Sequence, residues 1–459
     1  MFRPARSAAM VAIVLSAFCL TAAQACHAQN FTDIKPSPQQ SAWQDLEFGV
    51  IIHFGPNTFL DLEWGDGTAS PEVFAPTQFD PEQWMRAIRA AGAKYVVLVA
   101  KHHDGFCLWP TGQTGYSVKS IPWENGRGDV VRRVSEAARK FGLAFGVYLS
   151  PWDRHEPKYK NSAEYDDYYI AEMEELASGY GNLVEFWLDG AGSAGHVYNF
   201  SRIIENLRIY QPNTLVFADA ALLEYGDIRW AGNENGTIPY ENWNILDRHG
   251  YFRWRPVEAA TPLHKQHWFW HPDDEASLKS VAELATIYEE TIGRGGQLML
   301  GLAPDRRGLL PEADAKRLEE FGAAIRKRYR DNLMAKEHFL LHQPADAAFD
   351  DDPDTFWSAP VGSHHALLEA DFEKPVTFDH SLVMEWLNDG QHVEHFRIEA
   401  WTGQSWKSLV EGSAIGHKRI DHFAPVATSR IRLNILASSA EAHIREFQIF
   451  NVGDNLGAH

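Results

Sequence analysis

The chain of 459 residues carries a formal net charge of -20, with 42 Lys and Arg against 62 Asp and Glu. That balance excludes nucleic acid and anionic membrane as partners, since both require a basic face. The length admits two domains, and the 16 Trp, 15 Tyr and 26 Phe supply flat apolar faces of the kind on which sugar rings stack.

Arg3 and Arg6 precede an apolar run from Ala8 to Ala23 and then small residues. This is the pattern of a secretory signal peptide over residues 1–28, too short for a convincing membrane span. Cleavage after Ala25 and after Ala28 both fit. Cys19 leaves with the signal, and so does Cys26 when cleavage follows Ala28; a lipid anchor on Cys26 is not the expectation, because Gln24 fits that signal poorly. Cys107 then stands alone, no intrachain disulfide is expected, and the expected destination is a bacterial periplasm.

From residue 29 apolar strands alternate with amphipathic helices. The first strand, Phe48 to Phe54, ends around His53. Asp80-Pro81-Glu82 reads as an N-cap with proline at the first helical position, and Gly92 stops that helix. Tyr95 to Ala100 is the next strand, followed by Lys101-His102-His103-Asp104-Gly105. A helix from Val130 to Phe141 leads to the strand Leu143 to Leu149, which contains Tyr148. A helix from Ala163 to Tyr180 precedes Val184 to Leu188, a buried strand that ends in Asp189 and Gly190. Thr214 to Ala218, Ile228 to Asn233, His267 to Trp270 and Gln297 to Leu302 complete a set of eight strands, with a helix from Val281 to Gly293 before the last. Eight strands alternating with helices over residues 29–335 predict a (β/α)8 barrel, closed by a helix from Pro311 to Arg330.

Composition then changes. Short alternating stretches such as Arg430 to Ile435 and Ile444 to Ile449 predict an antiparallel β-sandwich over residues 336–459. Its acidic opening, Asp350 to Trp357, suits either a calcium ion or a solvated turn, and the solvated turn is the expectation. Removing this domain is expected to leave the catalytic residues in place.

In such barrels the chemistry sits where the strands end. Those ends offer His53, His102, His103, Tyr148, Asp189, Glu234 and the tryptophans of His267-Trp268-Phe269-Trp270, joined by Glu63 and Trp64 from the first long loop. Any one of them alone is more simply a structural residue; together they pair two carboxylates with neutral donors and aromatic faces, a set suited to a sugar. Two carboxylates also suit glycosidic cleavage, one meeting the anomeric carbon and the other protonating the leaving oxygen. Asp189, rigid at the end of a buried strand, fits the first task. Glu234, in the loop Gly232-Asn233-Glu234-Asn235-Gly236, fits the second, with Glu63 and Glu241 next in line.

Phe48-Gly49-Val50-Ile51-Ile52-His53-Phe54-Gly55, Glu63-Trp64, Lys101-His102-His103-Asp104-Gly105-Phe106 and Phe186-Trp187-Leu188-Asp189-Gly190 together resemble the family 29 α-L-fucosidases, over roughly residues 40 to 330. The resemblance implies a retaining exo-glycosidase with Asp189 as nucleophile. It places His53, Glu63, Trp64, His102, His103 and Tyr148 at fucose-binding positions. Glu234 within Gly-Asn-Glu looks like the acid/base of the subgroup that prefers α-1,3 and α-1,4 linkages. Trp268 is the first match for a tryptophan that closes the pocket, and Trp270 the second. The C-terminal region resembles the discoidin-like, galactose-binding type of sandwich. The partners implied are fucosylated oligosaccharides or glycoconjugate glycans, with no cofactor and no metal. Two other readings use the same residues: a metal-dependent hydrolase built on His53, His102, His103 and Asp189, and a fucose-binding barrel without turnover. Against the metal site, adjacent histidines on one extended strand point to opposite sides unless the strand ends between them.

Overall fold

The structure, a computed structural model, describes residues 31–218, 225–248, 251–335, 339–341 and 346–453. The signal-peptide expectation, with Cys19 and Cys26, lies outside the described residues. Among the described residues no helix is long and apolar enough to cross a membrane.

Eight parallel strands close into a barrel: β1 (Phe48–Ile52), β2 (Tyr95–Lys101), β3 (Ala144–Leu149), β4 (Glu185–Leu188), β5 (Leu215–Ala218), β6 (Ile228–Trp230) and, after a hairpin of β7 (Ile245–Arg248) and β8 (Tyr251–Trp254), β9 (Val257–Pro262) and β10 (Gln297–Leu302). Strand β10 pairs in parallel with both β9 and β1, which shuts the ring. Four short or medium helices open the chain: α1 (Pro38–Gln44), α2 (Pro56–Leu60), α3 (Pro81–Ala91) and α4 (Val130–Lys140). Then follow α5 (Ser162–Gly179), α6 (Phe200–Tyr210), α7 (Val281–Thr291) and α8 (Glu312–Arg328). The expected ends of α3 are real: Asp80 accepts from the amides of Glu82 and Gln83, Pro81 opens the helix, and Gly92 closes it at φ 99°, a value that favours glycine.

One expected strand is corrected. His267 to Trp270 is a loop, and the seventh barrel strand is β9, Val257–Pro262. Its sequence hides it, because Glu258, Ala259, Ala260 and a terminal proline carry little strand propensity. The strand is held by burial on every residue and by neighbours on both sides, β6 and β10.

The barrel interior is filled by side chains such as Ile51, Val97, Val99, Phe217 and Met299. Among them sit two fully buried carboxyls, Glu185 and Glu258. Trp43 Nε1 donates to Glu185 (3.3 Å), while Tyr95 Oη and Trp187 Nε1 donate to Glu258 (2.9 and 2.8 Å). Burial raises both carboxyls above the ordinary range, Glu258 to about 7, and their mutual repulsion raises Glu185 further. The pair therefore keeps a proton near neutrality, which removes the cost of facing two charges in a dry interior.

Beyond α8 the chain turns antiparallel, with strands β11 (Phe339–Leu341), β12 (Trp357–Ser358), β13 (Ala366–Glu385), β14 (Val393–Trp401), β15 (Trp406–Gly412), β16 (Arg419–Ser438) and β17 (His443–Phe450). The two 20-residue strands β13 and β16 pair along their length and bend at bulges, enclosing a separate apolar core around Leu368, Phe396, Ile431, Leu433 and Phe447.

This domain grips the long segment between β6 and β7, the segment that carries Glu234. The Arg419 guanidinium lies over the Tyr240 ring at 4.1 Å and donates to Glu241 (3.2 Å), and Ser413 donates to Glu241 through both its amide (3.0 Å) and its hydroxyl (2.8 Å). Tyr240 Oη donates to Asp421 (2.6 Å), and Gln391 bonds Asn242 and Asn244. One leg of the Glu234 segment is thus anchored on the domain whose removal is expected to leave the catalytic residues in place.

Candidate active site

At the C-terminal ends of the strands a cavity of about 170 Å³ is lined by all nine residues picked out from sequence: His53, Glu63, Trp64, His102, His103, Tyr148, Asp189, Glu234 and Trp268. Trp187, Trp230, Ala191, Ile51 and Ala260 complete it. The tryptophans were missed because they sit within or at the end of apolar strands, where an inward ring and an outward one look alike in sequence.

His102 and His103 both face the cavity, with ring centroids 4.2 Å apart. They can do so because β2 ends at Lys101 and the chain turns immediately, with Gly105 at φ 85°. Lys101 itself is fully buried and forms ion pairs with Asp153 at 3.0 Å and with Glu172 of α5. That triad ties the end of β2 to the segment after β3 and to a helix behind it.

Asp189 follows β4 and is held at both oxygens. Tyr148 Oη donates to Oδ2 at 2.9 Å, and the Ala191 amide donates to Oδ1 at 2.9 Å. His103 Nε2 lies 3.6 Å from Oδ2. Ser150 Oγ gives its hydrogen to the carbonyl of Trp152 (2.7 Å), so it must accept from His103 Nδ1 (2.7 Å). The proton of neutral His103 is thereby set on Nδ1, and Nε2 presents a lone pair. Burial lowers the pKa of all three histidines, His53 to about 3 and His102 well below the ordinary value; near His103 the Asp189 charge offsets part of the effect. They enter the site as neutral rings. Nδ1 of His53 and of His102 is buried without a hydrogen-bond partner, an expensive state that calls for an explanation in function.

The aromatic walls come from distant segments. Trp64, half exposed, stands edge-on to His103 (5.2 Å) and Trp152 (5.5 Å). Trp268 packs 5.2 Å from the His53 ring and occupies space that exists because residue 301 of β10 is glycine, where a Cβ would meet the indole at 2.6 Å. Trp270 turns away, lies under Arg306 (5.4 Å) and lines a different cavity of about 510 Å³. Glu63 is both wall and brace: Oε2 accepts from the Trp268 amide (3.0 Å), and Oε1 from the Phe269 amide (3.1 Å).

Glu234 reaches the cavity from a loop bent by Gly232 (φ 83°) and Gly236 (φ 73°). Asn233 folds the loop on itself, donating to the Thr237 carbonyl (3.1 Å) and accepting from the Asn235 amide (3.0 Å). Glu241, the reserve candidate for the acid, is committed to Arg419 and Ser413 and is not part of the cavity lining.

A parallel barrel with three carboxylates and four indoles around a small cavity at its C-terminal end is the site of a glycoside hydrolase. The Alpha-L-fucosidase family profile matches residues 61–328, and that of the F5/8 type C domain matches residues 334–447. Alpha-L-fucosidase 1 of Arabidopsis thaliana is 35% identical over 427 residues, covering 86% of this chain and 83% of its own. Among solved structures, SpGH29 superposes with a TM-score of 0.84 at 32% identity, covering 91% of this chain and 98% of its own. A Ruminococcus gnavus GH29 fucosidase, solved in complex with fucose, gives 0.84 at 26% identity, covering 92% and 96%. The chain belongs to the α-L-fucosidases of glycoside hydrolase family 29, a retaining family.

Proposed function

We propose that this fucosidase is an exported exo-enzyme that removes L-fucose from α-1,3- and α-1,4-fucosylated oligosaccharides or glycoconjugates, with Asp189 as nucleophile and Glu234 as acid/base. The observation that carries it is that these two carboxylates, from different strand ends, line one small cavity with indole walls. Asp189 attacks the anomeric carbon, and the glycosidic bond breaks as Glu234 gives its proton to the departing oxygen. Glu234, now a carboxylate, takes a proton from water, which attacks the fucosyl ester and frees Asp189. Tyr148 and the Ala191 amide keep both oxygens of the nucleophile in place. The neutral rings of His53, His102 and His103, with the Glu63 carboxylate, line the cavity and meet the hydroxyls of fucose. Trp64 and Trp268 meet its C–H faces.

The linkage preference rests on Gly232-Asn233-Glu234 and is tested by digesting a panel of α-1,2, α-1,3, α-1,4 and α-1,6 fucosides. Rapid release from the α-1,3 and α-1,4 members is expected. Equal or faster release from the α-1,2 or α-1,6 members would overturn the preference and leave the activity intact.

Export rests on Arg3, Arg6 and the run from Ala8 to Ala23. With residues 1–28 present, activity is expected in osmotic-shock fluid from a Gram-negative host. Activity confined to spheroplasts, on a chain that keeps its N-terminus, would refute it.

A further inference from the structure

The loop that carries Trp64 and the loop that carries Trp268 are joined through one histidine. His271 Nδ1 lies 2.6 Å from Asp61 Oδ1, and its Nε2 lies 2.7 Å from Glu63 Oε1. A neutral imidazole has a single N–H, so a ring with each nitrogen against a carboxylate oxygen is satisfied only when both nitrogens carry hydrogen. Burial works against that charge, but the bonds to Glu63 and Asp61 outweigh it and hold the ring above the ordinary histidine value. Asp61 is itself fixed in the left-handed region (φ 61°) at the end of α2. Glu63, with His271 on Oε1, turns its carboxylate to accept the amides of Trp268 and Phe269.

Several of the charges around the ring are engaged with one another. His267, its nearest ring at 4.4 Å, is bonded to Asp274 (2.8 Å). Across the larger cavity Arg307 pairs with Asp305 and Glu312, and His264 with Asp314. Asp273 and Glu275 line that cavity as well, and Arg306 sits over the neighbouring Trp270.

We propose that His271, as an imidazolium bridging Asp61 and Glu63, is a positioning residue that holds the Trp64 and Trp268 walls of the fucose pocket in register, so that sugar affinity depends on its charge. The proposal rests on the cavity being the fucose pocket. A ring whose pKa is raised by its partners keeps the bridge at pH below the ordinary value and loses it as pH rises through the raised one. One N–H is then gone and a lone pair faces a carboxylate.

The test is titration of L-fucose into the wild-type protein, His271→Ala, His271→Gln and His271→Arg at about pH 6 and about pH 9, bracketing a raised histidine pKa. Aryl α-L-fucoside kinetics and hydrogen exchange of the Trp268 and Phe269 amides run alongside. Wild-type affinity should fall about tenfold between the two pH values, and His271→Ala should be weaker by about 10- to 100-fold at both, the scale of a lost charge-assisted hydrogen bond. In that variant the Trp268 and Phe269 amides should exchange faster, and KM should rise far more than kcat falls. His271→Gln, which keeps one N–H, should lie between. His271→Arg, with space for the longer side chain in the adjoining cavity, should bind fucose equally well at both pH values. Unchanged fucose affinity and exchange in His271→Ala, or a loss confined to kcat, would overturn the proposal. Wild-type binding that Trp268→Ala leaves unmoved would instead mean that fucose sits elsewhere, and the pocket assignment itself would fail.

Discussion

Replacing Asp189 by asparagine or glycine is expected to lower turnover of aryl and natural α-L-fucosides by about 10⁴-fold or more, the scale on which loss of a covalent nucleophile acts. The folded state should survive, because Asp189 is partly exposed and its partners have other support. Tyr148 packs against Trp187 (5.7 Å), and the Ala191 amide lies in a turn beside Gly192. Asparagine keeps an oxygen for Tyr148 but cannot form the ester. Steady-state kinetics together with thermal unfolding decide the matter: near-normal turnover in either variant would remove Asp189 from the role, whereas inactivity with a collapsed melting temperature would say nothing about chemistry. Glycine also opens space beside the anomeric carbon, so azide or formate should partly restore cleavage of an activated substrate in that variant.

The second large effect concerns the leaving group. A sugar alkoxide needs a proton in the transition state, while a nitrophenolate departs nearly unaided. Glu234→Ala or Glu234→Gln should therefore slow an α-1,3/1,4-fucosylated trisaccharide by the roughly 10²–10⁴-fold typical of general acid catalysis. Aryl fucosides should lose much less in the fucosylation step, although the second step can become limiting because the same residue activates water. Azide needs no base, so it should restore turnover of the aryl substrate and leave a fucosyl azide. Equal losses on both substrates with no azide product would reduce Glu234 to a turn residue. Glu63 would then be the remaining acid on the cavity, since Glu241 is held by Arg419.

The sequence made the barrel legible where burial is written as an uninterrupted apolar run, as in β1, β2, β4 and β10, and where helix ends carry their own chemistry, as at Asp80 and Gly92. It failed at β9. A strand whose inward positions hold a hydrogen-bonded glutamate and an alanine has no propensity signal, and the aromatic His267 to Trp270 drew the assignment instead. His53, His102, His103, Tyr148 and Asp189 could be gathered because strand ends converge by construction, whereas Glu63, Trp64 and Trp268 come from loops. How they are held could not be read. Glu63 presents as a sugar contact in sequence, but its bracing of Trp268 spans 205 residues, and no local pattern encodes that distance. The facing of Trp268 against Trp270 was likewise undecidable from a strand argument, because the segment is not a strand.

The grip of the C-terminal domain on residues 240–244 changes what counts as the enzyme's minimal working unit. Arg419, almost wholly enclosed, would lose its stacking ring and one of its two carboxylate partners if the barrel were taken from it. Glu241, deprived of Arg419 and Ser413, would be left beside the loop that presents Glu234. The boundary between the two folds therefore does not coincide with a boundary between chemistry and accessory structure. Anyone exchanging modules among such fucosidases would have to transfer the Ser413–Asp421 segment as though it were an active-site loop, inherited with the barrel and not with the sheet that bears it.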